Sequence, residues 1–405
     1  MVCSPLAVKA MSRYGRAPVL FFGLLVQGIT SITFGYADEL TGGEGVDRGS
    51  ALVVYTLSRL ACGAGAACAN NAVFSIAADR FPDSLASVMG LNEVVIGAGF
   101  SLGPPIGTML NLRYGFNIVF LISGSAVLIF APVSLLCWQP HPRSGSSEDA
   151  AREDSTGCGS FREVLTPGLL CAGFSLLLGT GTFGIVEPIL GLYLSHEVGV
   201  SPAGVGVVFC IFAVAYSLAG PLAGWLADRL GALRVCACGS LGAGLVCLVL
   251  LGPTARWLAK GTPERISYEV AALVVLGIFQ AATLIPSLPA MKDSVPLSSS
   301  TLSSSGVTER VVAWFNIFMQ TGLVIAPLLG TALRDGIGFE ATVAIFGSGV
   351  AVYGAAALSF ACRRGKQPLV AESVPGHLIT GVAVSPMSRR QRDFLPEKVL
   401  RKISY

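Results

Sequence analysis

The sequence predicts an all-helical membrane protein that crosses the bilayer about ten times. Of its 405 residues, 53% are hydrophobic and only 13% are charged, whereas soluble domains contain about 25% charged residues. The mean hydropathy of the chain is +0.69. The apolar residues also come in uninterrupted runs, and a helical membrane span needs roughly 20 such residues. A soluble enzyme with a single core is therefore excluded.

Ten runs are long and apolar enough to span a bilayer. The longest polar stretch between them, 138–167, is rich in Ser, Gly and Pro and predicts a flexible cytoplasmic linker. We therefore expect an incomplete bundle of four spans in 1–137, a six-helix bundle in 168–363 and a basic tail in 364–405. The predicted spans are 17–37, 50–74, 87–110, 116–137, 168–194, 204–226, 233–253, 268–290, 311–333 and 341–362.

The loop charges predict the orientation, because loops on the cytoplasmic side carry an excess of Lys and Arg. Alternate connections differ strongly in these residues, and both chain termini fall on the richer side. The protein is thus expected to have both termini in the cytoplasm. The richer set is Lys9, Arg13, Arg16, Arg80, Arg143, Arg152, Arg162, Arg229, Arg234, Lys292 and Arg310, and the poorer set is Arg48, Arg113, Arg256, Lys260, Arg265 and Arg334.

Two segments of the first part recur in the second part without a gap. Residues 5–15, PLAVKAMSRYG, align with residues 221–231, PLAGWLADRLG. Residues 103–116, GPPIGTMLNLRYGF, align with residues 326–339, APLLGTALRDGIGF. The two offsets, 216 and 223 residues, are nearly equal. Such spacing indicates a duplicated helical bundle, an architecture that is common among transporters.

These motifs resemble those of the major facilitator superfamily. The loop Gly224-x-Leu-Ala-Asp228-Arg229-x-Gly231 is similar to its loop signature, and the segment 58–65 is similar to its fourth-helix motif, which contains an arginine. The fifth-helix motif of its proton antiporters is matched by Gly99, Gly103, Pro104 and Gly107. Three further segments resemble the vesicular amine and polyamine transporter branch more narrowly: 183–194, 213–224 and 285–289.

The resemblance implies a fold of two pseudo-symmetric helical bundles and a secondary active transporter, not an enzyme. By this likeness it exchanges protons for a small organic cation, an amine or a polyamine, across a vesicle or vacuole membrane, and needs no cofactor. The ten spans would be the third to twelfth helices of the family, which predicts a truncated N-terminus. Val8 and Ser12 replace the glycine and aspartate of the first loop, which puts the function of that copy in doubt.

The second copy of the loop predicts a gate at the cytoplasmic surface. Gly220 and Gly224 share one helix face, where another backbone can approach closely. Asp228 is placed to accept hydrogen bonds from the N-terminus of a neighbouring helix, a favourable position for negative charge. Together with Arg229 and Gly231 it would hold one conformation closed. The alternative is a topology anchor without a gating role.

Glu187 is the first candidate for binding protons and substrate. It lies in the second half of an apolar span, and Pro188 follows it. A charge within the membrane costs about 2.5–3.5 kcal/mol on insertion scales, so it usually faces an interior or a cavity. The Glu-Pro pair also resembles the amine branch. The alternative is a residue near the membrane edge whose side chain extends to water.

Three further polar residues lie within spans. Glu93 precedes Gly103 by ten residues and Asn316 precedes Ala326 by ten, so the repeat places them at equivalent depth, as in a shared central cavity. Arg59 stays charged, and Glu93 is its predicted partner, either for proton transfer or as a structural ion pair. Glu93 could equally be an interhelical hydrogen-bond partner. The Gly103–Gly107 segment is expected to bend its helix and permit close packing, although generic helix packing explains it as well.

Other classes lack support in the sequence. No phosphate-binding Gly-x-x-x-x-Gly-Lys-Ser/Thr motif is present, which argues against an ATP-driven pump. His141, His196 and His377 are too scattered for a metal site, and the basic tail lacks the aromatic residues of a nucleic-acid surface. We expect lipid, protons and a small cation as partners, and no metal. A multidrug or sugar-type facilitator and a non-transporting membrane protein remain as alternatives.

Overall fold

The computed structural model describes residues 3–41, 48–136, 163–251, 263–295 and 304–364. These residues are helical almost throughout, and no strand occurs among them, which confirms the predicted all-helical class. The helices are α1 Cys3–Tyr14, α2 Arg16–Gly35, α3 Ala37–Leu40, α4 Arg48–Arg80, α5 Leu85–Tyr114, α6 Phe116–Leu136, α7 Pro167–Tyr193, α8 Pro202–Leu230, α9 Ala232–Leu245, α10 Pro263–Leu284, α11 Ser287–Asp293, α12 Ser304–Ile337 and α13 Phe339–Arg364.

Nine helical segments of the described chain are long and apolar enough to cross a membrane. The tenth predicted span, 87–110, lies within α5, which is helical from Leu85 to Tyr114. Large apolar side chains are exposed on faces of these helices, including Leu218, Leu328 and Val352. Such faces are unstable in water and match the hydrocarbon of a bilayer. The protein is therefore an integral, multi-pass membrane protein.

Two predicted spans differ from the observed helices in detail. The span 233–253 is α9 followed by a wider turn, Val246–Leu250. The span 268–290 is divided into α10 and α11 at Ile285–Pro286. A proline has no N–H to donate to the helix, so Pro286 interrupts the ladder at this point. The sequence pattern of apolar residues continues across the break and conceals it.

The internal repeat is visible in two pairs of tight turns. Gly15 and Gly231 each separate two helices directly and have φ of 88° and 96°. Gly115 and Gly338 do the same with φ of 88° and 83°. Positive φ favours glycine, because other residues place Cβ against the backbone there. The aligned segments therefore end in the same backbone conformation.

Successive connections between the long helices lie alternately at two opposite ends of the molecule. We call the end with the turns at Gly15 and Gly231 the Asp228 end, and the end with the turns at Gly115 and Gly338 the Glu269 end. Within the first part, α2 packs against α4 and α6, and within the second part α7 packs against α12 and α8 against α10. The two parts meet mainly where α5 packs on α8, and where α1 and α4 pack on α12.

The predicted domain boundaries remain a prediction. The described residues up to Arg363 form one compact unit by their contacts. The predicted linker, 138–167, lies outside the described residues as far as residue 162, and the tail lies outside them after Arg364. The described end of the linker leads into α7, where the Thr166 hydroxyl accepts a hydrogen bond from the Leu169 N–H at 3.1 Å, as an N-cap does.

Candidate functional site: the interface between the two parts

Asp228 connects the last turn of α8 to the first turn of α5. Its Oδ2 accepts hydrogen bonds from the Ser87 backbone N–H at 3.1 Å and from the Ser87 hydroxyl at 2.5 Å. The carboxylate thus meets the positive end of the α5 dipole and one of its free N–H groups. This is the contact that the sequence predicted for Asp228. Gating by this loop remains a prediction.

The remaining loop residues have separate contacts. The Arg229 guanidinium lies over the ring of Trp225, one turn earlier on the same helix, with 4.3 Å to the ring centroid. Gly231 provides the positive φ that lets α9 begin directly after α8. Arg229 therefore covers an aromatic side chain at the Asp228 end, and Asp228 is bound by Ser87.

Small residues let α5 and α8 approach to backbone contact. A Cβ added to Gly90 would lie 2.5 Å from the Gly220 carbonyl oxygen, and one added to Gly220 would lie 2.9 Å from the Gly90 oxygen. At Gly224 an added Cβ would lie 2.8 Å from the Ala86 carbonyl carbon and closer still to its oxygen. The predicted close approach at Gly220 and Gly224 is confirmed, and Gly90 is the partner that the sequence analysis did not name.

A buried arginine links three helices near the same end. Arg16, the first residue of α2, contacts Asp79 of α4 at 2.5 Å and Glu309 of α12 at 3.0 Å. It also donates to the Ser75 carbonyl oxygen at 3.3 Å. The side chains of Arg16 and Glu309 are only 12% and 6% exposed. The Arg16–Glu309 ion pair therefore holds the first part against the second.

The sequence analysis used Arg16 only for orientation and missed Asp79 and Glu309. A signal existed, because Arg16 stands directly after the repeated loop and both acids stand at ends of long apolar spans. The repeat could not have supplied the pairing, since the position equivalent to Arg16 in the second part is Ala232.

Asn316 takes part in the same interface. Its Nδ2 donates to Asn71 Oδ1 of α4 at 3.3 Å and to the Val312 carbonyl oxygen at 3.0 Å. Both asparagines are buried, at 0% and 3% exposure. Nearby, the Phe74 and Phe315 rings pack edge to face, with centroids 5.3 Å apart. In this conformation Asn316 thus contacts the other part of the chain, and its predicted position in a shared central cavity remains untested.

Lys292 of α11 adds another link between the parts. Its ammonium group donates to the carbonyl oxygen of Ala78, in the last turn of α4. Basic groups at a helix C-terminus donate hydrogen bonds to free carbonyl oxygens and interact favourably with the negative end of the helix dipole. This contact, like those of Arg16 and Asp228, lies at the Asp228 end.

Glu93 also contacts the second part. The Tyr216 side chain of α8 lies beside its carboxylate. This corresponds to the interhelical alternative that the sequence left open. The expected pair between Glu93 and Arg59 is wrong for this conformation: among the described residues no ion pair joins them.

Arg59 instead stacks on an aromatic ring of its own part. Its guanidinium carbon lies 3.7 Å from the ring centroid of Phe34 in α2 and 5.6 Å from that of Phe120 in α6. Arg59 also lines a cavity of about 380 Å³ together with Phe34, Tyr55, Thr56 and Leu60. The physical reason for the different partner is that α4 turns this face toward α2 and α6, whereas α5 directs Glu93 toward α8.

Glu187 is exposed on α7, six residues before that helix ends at Tyr193. On neighbouring turns of the same face, Phe183 packs on Phe212 and Gly191 approaches Phe209 of α8. The next face is covered by α12, where Gly184 approaches Pro327. Glu187 thus lies at an opening between α8 and α12, on a helix that continues through Pro188.

The Gly99–Gly107 motif does not provide the close contact that its glycines suggested. Positions next to Gly99 and Gly103 are open, since no described atom lies within 4 Å of an added Cβ. Gly107 approaches only Val119, at 3.9 Å. The helix α5 runs through the motif, including Pro104. The close packing of α5 on α8 continues from Gly90 to Gly97, where an added Cβ would lie 2.7 Å from the Ser217 Cβ, and Gly99 lies off this face of the helix.

The described residues contain no group of three or more His, Cys, Asp or Glu that could hold a metal ion. The contacts of this interface are ion pairs and hydrogen bonds, which separate and re-form when helices move.

The comparisons with known proteins agree with this architecture. The chain is 30% identical over 343 residues to the mouse (Mus musculus) MFS-type transporter SLC18B1, with 84% of this chain and 70% of that protein aligned. It is 28% identical to the multidrug resistance protein MdtG of Escherichia coli, over 67% of this chain and 62% of that protein.

Solved structures with this fold include transporters of different kinds. The proton:xylose symporter XylE superposes with a TM-score of 0.67 at 13% identity, covering 89% of this chain and 82% of that one. The human organic anion transporter MFSD10 superposes with a TM-score of 0.65 at 18% identity, covering 88% of this chain and 80% of that one. The sequence model of the family described as the Major Facilitator Superfamily matches residues 1–186 and 173–400 of this chain. The chain therefore belongs to the Major Facilitator Superfamily and is a secondary transporter, as its motifs predicted.

Proposed function

We propose that the protein is a proton-coupled antiporter of a small organic cation, an amine or a polyamine. One observation supports this most. All the contacts described above between the two parts lie toward the Asp228 end, from Arg16–Glu309 to Glu93–Tyr216. Beyond Gly99, α5 exposes apolar side chains such as Leu102, Met109 and Leu112. The parts are joined at one end and apart at the other, as alternating access requires of a state that is open on one side.

The charge of the exposed opening favours a cation. Glu187 is exposed where α8 and α12 leave α7 uncovered. A carboxylate within a bilayer is costly unless it has a cation or a proton. Exchange of these two at one carboxylate is the simplest antiport mechanism. The amine class itself follows from the resemblance of 183–194 to the amine and polyamine branch, and a vesicle or vacuole membrane follows from the same likeness.

The Asp228 loop would stabilise the state described here. The positive-inside rule assigns the Asp228 end to the cytoplasm, so this state would be closed to the cytoplasm. Opening toward the cytoplasm requires the separation of Asp228 from Ser87 and of Arg16 from Glu309. The helix seam at Gly90 and Gly220 would separate in the same motion.

Uptake into proteoliposomes tests the proposal. We expect radiolabelled spermidine to accumulate when a pH gradient is imposed and not when it is dissipated, and neutral xylose not to accumulate in either case. Glu187→Gln is expected to abolish gradient-driven spermidine uptake. The exposed Glu264→Gln, which removes the same charge from α10, is the matched control and keeps it. Unchanged uptake by Glu187→Gln would refute the assignment of Glu187.

The other outcomes identify the alternatives. The similarity to MdtG favours a multidrug facilitator as the second candidate, and that function predicts uptake of structurally diverse cationic dyes with little preference for spermidine. Uptake of xylose would indicate a sugar-type facilitator. No flux of any solute through a correctly inserted protein would indicate a non-transporting protein.

A further inference from the structure

A second buried charge cluster lies at the opposite end of the molecule from the Asp228 loop. It consists of Tyr193, the last residue of α7, Arg265 and Glu269 in the first turns of α10, and Glu340 near the start of α13. We call these four residues the anchor cluster. The side chains of Arg265 and Glu269 are 1% and 0% exposed, and that of Glu340 is 13% exposed.

The anchor cluster joins three helix ends. The Tyr193 hydroxyl donates to Glu269 Oε1 at 2.8 Å and accepts from the Arg265 guanidinium at 2.5 Å. The same guanidinium donates to Glu340 Oε1 at 3.1 Å. The Tyr193 ring also stacks on Phe339, with the centroids 4.0 Å apart and the planes at 16°. Tyr193 is thereby held by charge on one side and by an aromatic ring on the other.

The Glu269 carboxylate is only partly satisfied by its neighbours. Its side chain is fully buried, and its Oε2 has no hydrogen-bond partner among the described residues. An ionised oxygen in such a place is unfavourable, and the site therefore favours uptake of a cation by this carboxylate. The smallest such cation is a proton, which needs no further ligands.

Few other ionisable groups lie near Glu269. In the described chain, the groups that act on its carboxylate are Tyr193 of α7, Arg265 of its own helix and Glu340 of α13. The first turns of α8, 202–213, contain no charged residue. Further ionisable side chains on the elements around the cluster are His196, Glu197, Cys210, Cys247, Glu264 and Tyr268.

The contacts distinguish the two carboxylates. Glu340 accepts a direct hydrogen bond from the guanidinium and is partly exposed. Glu269 lies 3.9 Å from the Arg265 Nε, beyond hydrogen-bond distance. Its Oε2 is buried and has no hydrogen-bond partner among the described residues. We propose that Glu269 is a proton-binding residue that is loaded from the Glu269 end of the molecule and is separate from Glu187.

The bound proton would release the end of α7. A hydrogen bond to a carboxylate is roughly twice as strong as one to a neutral acceptor, so protonation of Glu269 weakens its bond from Tyr193. Tyr193 follows Glu187 by six residues on the same helix. Transmission to Glu187 rests on the proposed transport function, whereas proton binding by Glu269 does not.

Infrared difference spectroscopy of the full chain in lipid nanodiscs tests proton binding without any substrate. Stepping the pH from neutral to acid is expected to produce the carbonyl band of a protonated carboxylic acid that Glu269→Gln lacks. Glu264→Gln, an exposed change in the first turn of the same helix, keeps this band. Tyr193→Phe, which retains the ring stack on Phe339, is expected to move the appearance of the band upward by about one to two pH units, because the carboxylate loses a hydrogen bond.

Hydrogen exchange of 190–198 provides a second measurement that does not depend on band assignment. We expect its protection factor, which corrects for the intrinsic pH dependence of amide exchange, to fall on acidification in the native protein and to stay constant in Glu269→Gln. Loss of the band in Glu340→Gln and not in Glu269→Gln would overturn the assignment. A spectral response to Na⁺ at constant pH would identify a metal-cation site and overturn the proton proposal. A failure of spermidine uptake alone would leave these spectra unaffected.

Discussion

Replacing Gly90 with alanine should force α5 and α8 apart. The new Cβ would lie 2.5 Å from the Gly220 carbonyl oxygen and 2.9 Å from its carbonyl carbon. Both atoms belong to backbone and cannot rotate away. Since ordinary contacts begin near 3.4 Å, the helices must separate by about 1 Å. One turn earlier, the 3.1 Å hydrogen bond between Ser87 and Asp228 would then exceed hydrogen-bond length.

The expected cost to the closed conformation is that of overpacking, about 1–3 kcal/mol. This corresponds to a shift of roughly 5- to 150-fold in the ratio of closed to open molecules. The assay is the rate at which a maleimide labels Ala227→Cys in a background without other cysteines. Ala227 is 2% exposed and lies in one buried cluster with Ala86 and Met89 of α5, so it should react faster when α5 and α8 separate. Gly90→Ala should raise the rate within this range.

Gly206→Ala is the matched control, because it is on α8 and no described atom lies within 4 Å of an added Cβ. It should label at the rate of the unmodified background. Equal rates for Gly90→Ala and Gly206→Ala would refute the argument that the glycine seam controls closure.

Two other predictions concern arginines. Arg16→Gln should destabilise the closed conformation by about 1–3 kcal/mol. This is less than the loss expected when a fully buried ion pair is broken, because the Asp79 side chain is 34% exposed. In a double-mutant cycle with Glu309→Gln, measured by the same labelling, a coupling energy of zero would contradict the ion pair. Arg59→Ala should lower the unfolding temperature in detergent, since stacking on Phe34 contributes about 0.5–1 kcal/mol, and Arg59→Lys should lower it less. Equal unfolding temperatures for the unmodified protein, Arg59→Ala and Arg59→Lys would contradict the stacking.

The fold class and the helices were largely predictable, because a bilayer requires long apolar helices and the chain records them directly. The turns were predictable where glycine is needed, and the aligned Gly15 and Gly231 adopt the same conformation. The division of the span 268–290 at Pro286 was not, since an apolar pattern does not distinguish a continuous helix from a broken one.

The candidate site was only partly predictable. The Asp228 contact followed from the repeated loop, and the small residues Gly220 and Gly224 predicted a close neighbour without identifying Gly90. The pairing of Arg59 with Glu93 was predicted incorrectly, because two polar residues on adjacent spans need not share a face: Arg59 lies over Phe34, and Glu93 lies beside Tyr216.

By itself the sequence determined the membrane-spanning helices, the duplication and the superfamily, because each depends on composition, spacing or a local motif. Only the tertiary structure decided which charges meet. Arg16 and Glu309 are separated by 293 residues, and Tyr193 and Arg265 by 72. Their pairing depends on which helix faces pack together, and helix packing in a membrane is set by shape and close contact rather than by apolar pattern.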